Sequence, residues 1–145
     1  SGFSADERAA MKQRAEELRA MKGVKGAAKK EKEAEACIAA IEALSGTDRV
    51  IAERFHIVVT QEAPHLEWKT WYGFPSYARD GKVVTFVQPA SKFDTRYTSI
   101  GFNEDAALDD GPFWATAFAV LDWTDEVEKA LRPLVRKAAA VPEAD

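Results

Sequence analysis

Arg79-Asp80-Gly81-Lys82 constrains this chain more than any other stretch. Asp-Gly supplies the positive φ angles that a two-residue type I′ turn demands, so the runs on either side of it must pair as antiparallel strands. From Trp68 onward apolar and polar residues alternate in short β-branched and aromatic runs between turn signals. That pattern predicts strands over 68–72, 76–79, 82–88, 95–102 and 116–121, with 89–94 as a second connection of hairpin length. Before Trp68 the period is helical. Ser4-Ala5-Asp6-Glu7 is a capping box opening a helix over 5–20. Apolar stripes through Cys37 and through Ile51, Phe55, Val58 and Val59 predict helices over 31–44 and 48–62. Ala63-Pro64 ends the last of these, because the residue before proline is pushed out of the α region. Thr124-Asp125-Glu126 opens a final helix with a stripe of Val127, Leu131, Leu134, Val135 and Ala138, and Pro133 is expected to kink it.

The expected fold is therefore α+β: an antiparallel sheet of about five strands with helices packed on one side, plus a charged N-terminal helix. The stripe of that first helix is thin, made of Met11, Ala15, Leu18 and Met21, which predicts loose packing or a partner. Gly23 and Gly26 among Lys22, Lys25, Lys29 and Lys30 read as a mobile linker. The chain divides on this reading into an appendage, 1–30, and an α+β domain, 31–145.

Several function classes are excluded early. One cysteine and two histidines make neither a disulfide framework nor a Cys/His zinc site, and Cys37 falls in line with Ile38 and Ile41 as a core residue. The net charge of −4 hides a basic front, with nine Lys/Arg against five Asp/Glu in residues 1–32, and an acidic body. An acidic body argues against nucleic acid, whose phosphates need accumulated positive charge. No apolar run approaches the roughly 18 residues of a membrane span, and the expected location is the cytoplasm. A protein partner is open to the N-terminal helix, as a monomer or a dimer. No nucleophile, base and orienting group can be named together, so the chain does not read as an enzyme.

Two stretches are candidates for binding. Trp71-Tyr72-Gly73-Phe74-Pro75-Ser76-Tyr77 holds four aromatics in seven residues. It reads as a bend whose rings fill the core, or as an aromatic-walled cleft in which Trp71, Tyr72 and Phe74 meet a small molecule or peptide, with Lys92, Arg96 and Tyr97 adding polar groups. The second stretch runs from Tyr97 to Glu128, which holds acidic residues and no Lys or Arg. There Asp105, Asp109 and Asp110 read either as a solvated loop or as a weak oxygen-ligand site for a hard cation.

Ala63-Pro64, Lys69-Thr70-Trp71-Tyr72-Gly73-Phe74-Pro75-Ser76-Tyr77, Asp80-Gly81-Lys82-Val83-Val84 and Ile100-Gly101-Phe102 together resemble the YdhG-like family of small bacterial proteins. The likeness covers roughly residues 47–140 and rests most on the Tyr-Gly-x-Pro core. It implies an antiparallel sheet with helices on one side. Part of that family is described as frataxin-like intracellular iron chaperones acting through acidic surface residues, which implies a carrier with weakly bound ferrous iron. Ser99 stands where many relatives carry a histidine, and no individual iron ligand carries over to a matching position.

Overall fold

A computed structural model describes residues 4–23 and 25–140. The order is α1 (Ala5–Met21), α2 (Gly26–Glu42), α3 (Gly46–Glu62), β1 (Glu67–Trp71), β2 (Phe74–Arg79), β3 (Lys82–Gln88), the short α4 (Ala90–Phe93), β4 (Thr98–Phe102), β5 (Ala117–Val120) and α5 (Asp125–Ala138). The strands form one antiparallel meander in the order β1-β2-β3-β4-β5. This is the α+β fold expected from the period change.

Two tight turns set the register. Asp80 and Gly81 have φ of 51° and 81°, and Tyr72 and Gly73 repeat the pattern at 53° and 81°, so both β1–β2 and β2–β3 are closed by two-residue turns with positive φ throughout. The aromatic bend is thus shorter than the sequence suggests, and Phe74 and Pro75 belong to β2. Pro75 is tolerated because the β2–β3 ladder starts one residue later, at Ser76 opposite Phe86. Tyr77 faces Thr85 while Ala78 faces Val83, so Val84 is an extra residue that bulges β3.

One face of the sheet carries the core. Cys37 and Ile41 from α2, Phe55, Val58 and Val59 from α3, and Leu131 and Val135 from α5 pack against Tyr77, Val87, Ile100 and Phe102. Glu62 accepts from Arg132 at 2.9 Å and Arg136 at 2.7 Å, and Glu128 accepts from Arg54 at 2.9 Å, clasping α3 to α5. Arg79 donates to the carbonyls of Ala139 and Asp105, tying the end of α5 and the 103–116 loop to β2.

Two expected boundaries differ. The linker ends at Lys25, because Ala27, Ala28, Lys29 and Lys30 are good helix formers and extend α2 back to Gly26. β4 begins at Thr98: Asp94 takes a left-handed conformation at φ 52° and ends α4, which leaves 95–97 in a connection. α5 continues through Pro133, with Leu131, Val135 and Ala138 buried along its stripe.

Candidate functional site

Strand alternation puts Trp71, Phe74, Ser76, Phe86 and Gly101 on the sheet face away from the core. Phe74 is buried yet lies outside the main core cluster. Trp71 meets Tyr72, Phe74 and Phe86 edge to face, with ring centroids at 5.1, 5.8 and 5.5 Å. Phe93 closes on Phe74 at 6.0 Å. Phe86 lies over Gly101, its cross-strand neighbour, where any side chain would collide with the ring.

Phe93 is placed by α4, and α4 is pinned by Asp48 of α3. The Asp48 carboxylate accepts from the Ser91 amide at 3.0 Å and the Thr98 hydroxyl at 2.8 Å. Partial burial of Asp48 works against its charge, but the hydrogen bonds centred on Ser91 win and hold its pKa below the usual value.

α1 supplies the remaining wall. It lies against the β1–β2 turn, where the Gly73 amide donates to the Glu17 carboxylate at 3.0 Å. Glu7, Ala10 and Met11 then join Trp71, Tyr72, Phe74, Phe86, Gln88 and Phe93 around a cleft of about 550 Å³. Glu7 is engaged in the capping box, and the hydrogen bonds from Ser4 hold its carboxyl below the ordinary range. The cleft is otherwise apolar, with the Gln88 amide offering both a donor and an acceptor.

A second cleft of about 780 Å³ lies between α1, α2 and the β1–β2 turn. Its walls are charged, with Arg14 paired to Glu17 at 3.5 Å and Lys69 to Glu33 at 3.3 Å. The aromatic cleft is therefore the better candidate for a ligand, with apolar walls and few placed polar groups.

The structure brings Trp71, Tyr72 and Phe74 together as one wall and separates the other three residues. Lys92 lines the charged cleft. Arg96 lies over the ring of Tyr97, 5.3 Å from its centroid, and neither residue lines the aromatic cleft. A strand over 95–102 would carry both; β4 starts only at Thr98, which leaves them in the 95–97 connection. Asp105, Asp109 and Asp110 are spread along the loop after β4, and among the described residues no group of three or more His, Cys, Asp or Glu is gathered to hold a metal. Phe86, Gln88, Phe93 and the α1 residues were missed. The alternation of Phe86 and Gln88 with the buried Val87 was the available signal.

A polar row, buried at Cys37 and Tyr77 and half-buried at His56, lies on the other face. The Tyr77 hydroxyl sits 2.9 Å from His56 Nδ1 and also meets the Cys37 thiol. Burial pushes the Cys37 pKa up to about 11 and that of Tyr77 well above 10, while it lowers that of His56. A thiol held protonated and without exposure is a poor nucleophile. The row serves packing.

Compared with models of known protein families, with curated proteins and with solved structures, the chain matches none.

Proposed function

We propose that this chain is a non-enzymatic binding protein that holds a planar, largely apolar small molecule in the aromatic cleft. The observation that supports this reading is the set of five rings from four separate elements, completed by Met11, around a cavity of about 550 Å³. That volume falls within the roughly 300–1,000 Å³ of ordinary ligand pockets. The apolar walls supply affinity through burial of a flat ligand, and Gln88 supplies orientation. The test is a screen of planar aromatic fragments by calorimetry. Met11→Lys puts a charge into the wall at a residue that is already 42% exposed, so the fold is expected to survive. Hits are expected to bind that variant at least tenfold more weakly; affinity unchanged in Met11→Lys and in Phe93→Ala would remove the site.

The iron-carrier reading has less geometric support, because its three loop carboxylates are not gathered. Anaerobic titration with Fe²⁺, against Mg²⁺ as the control, decides it: saturable binding of Fe²⁺ well tighter than of Mg²⁺, lost in the Asp105/Asp109/Asp110→Asn triple variant, would restore it.

A further inference from the structure

The two edges of the sheet are treated differently. β1 carries Glu67 and Lys69, and α2 lies along it with Glu33 paired to Lys69 at 3.3 Å. Charges and a covering helix are the usual protections of an edge. Among the described residues β5 has none of these. Its sequence, Ala-Phe-Ala-Val, holds no charge, proline or bulge, and β4 is its only strand partner among the described residues.

The Phe102 amide donates to the Thr116 carbonyl at 2.8 Å, so 102 with 116, 100 with 118 and 98 with 120 are the hydrogen-bonded pairs. Ala117 and Ala119 fall between them and turn both their N–H and C=O groups outward. Both are exposed, and their small side chains leave the edge open. Beside this edge the sequence places Phe113, Trp114 and Leu121, which are 83%, 38% and 66% exposed. Seven acidic residues lie in residues 98–127 with no Lys or Arg, and none of the seven forms a salt bridge among the described residues.

We infer that the outer edge of β5 receives an extended, Lys- or Arg-bearing peptide segment of another protein as an added strand. The outward groups of Ala117 and Ala119 supply the ladder, Phe113, Trp114 and Leu121 grip alternate apolar side chains, and the surrounding carboxylates select basic ones. A second copy of this chain is the poorer occupant, since isologous pairing of β5 with itself would bring together two acidic stretches that hold no Lys or Arg of their own.

The probe is a fluorescein-labelled peptide of alternating Lys and Val, eight residues long, followed by anisotropy, with the Glu-Val peptide as the charge control. The Lys-Val peptide is expected to bind at least tenfold more tightly than the Glu-Val peptide and to weaken as salt is raised. Ala119→Pro deletes one outward N–H and leaves the β4 pairs intact, and it is expected to weaken binding at least tenfold. Should that variant fold poorly, N-methylation of alternate peptide amides tests the same ladder from the other side, with Phe113→Ser testing the grip. Equal binding of the N-methylated peptide would reduce the effect to charge alone and overturn strand addition. A dimer seen by sedimentation and lost in Ala119→Pro would make a second copy the occupant and overturn the proposal equally.

Discussion

Replacing Gly101 by alanine isolates the contact that shapes the aromatic face. Gly101 sits in β4 with a backbone that alanine can adopt, since it is not among the glycines of positive φ. The added Cβ, however, would lie 2.8 Å from both Cε1 and Cε2 of Phe86. Relaxed carbon contacts are about 3.5–4.0 Å, so the ring must retreat by roughly an ångström. It cannot do so freely, because Trp71 and Phe74 each stand 5.5 Å from it, centroid to centroid. Overpacking of this kind costs about 1–3 kcal/mol, and exchanging glycine for alanine in a strand returns about 0.5–1 kcal/mol. The net expectation is a loss of about 1–2 kcal/mol in urea denaturation, with an unchanged m-value. In a Phe86→Ala background the obstacle is gone, and the same substitution is expected to be neutral or to stabilise by about 0.5–1 kcal/mol. An equal loss in both backgrounds would refute the contact and, with it, the placement of Phe86 in the wall.

Three further outcomes follow from the structure. Gly81→Ala forces a side chain into a φ of 81° and is expected to cost about 1–2 kcal/mol; an unchanged denaturation midpoint would contradict the tight β2–β3 turn. Burial lowers the pKa of His56, so the unfolded chain takes up the proton first: stability is full above about pH 6.5 and declines as pH falls toward the folded value. His56→Gln is expected to flatten the thermal midpoint across pH 7.5 to 5.5, and an unaltered slope would count against a half-buried neutral imidazole. The Glu128 carboxyl, held down to about 2 by hydrogen bonds from Arg54, Trp123 and Arg132, contributes stability above its ordinary value of 4.5 that is lost as pH falls toward 2. Glu128→Gln is expected to flatten that acid limb, and an unchanged limb would show the α3–α5 clasp to be energetically idle.

Much of the fold was legible because local chemistry and global packing agree. Asp80-Gly81 demanded a hairpin and made one, β3 occupies the residues its alternation marks, and Thr124 caps the helix that Asp125 and Glu126 open. The site was half legible for a physical reason. Trp71, Tyr72 and Phe74 are neighbours in sequence, so their clustering is visible without a structure. Phe86 joins them through the β2–β3 ladder that Asp80-Gly81 announces, whereas Phe93 and Met11 join only through the Asp48 anchor on α4 and the docking of α1 at Gly73, neither of which leaves a sequence signature. Arg96 and Tyr97 misled because a β-branched and aromatic run looks like strand whether or not a left-handed residue, here Asp94, interrupts it. Asp105, Asp109 and Asp110 are close in sequence but spread along the loop after β4.

The most direct test of the aromatic cleft is a two-dimensional NMR titration of the isotope-labelled protein with indole as the probe. The cleft predicts saturable shifts confined to the amides of residues 71–74, 86–88, 93 and 7–11, and their loss in Met11→Lys. Shifts centred elsewhere, or none up to the solubility limit of the probe, would contradict it.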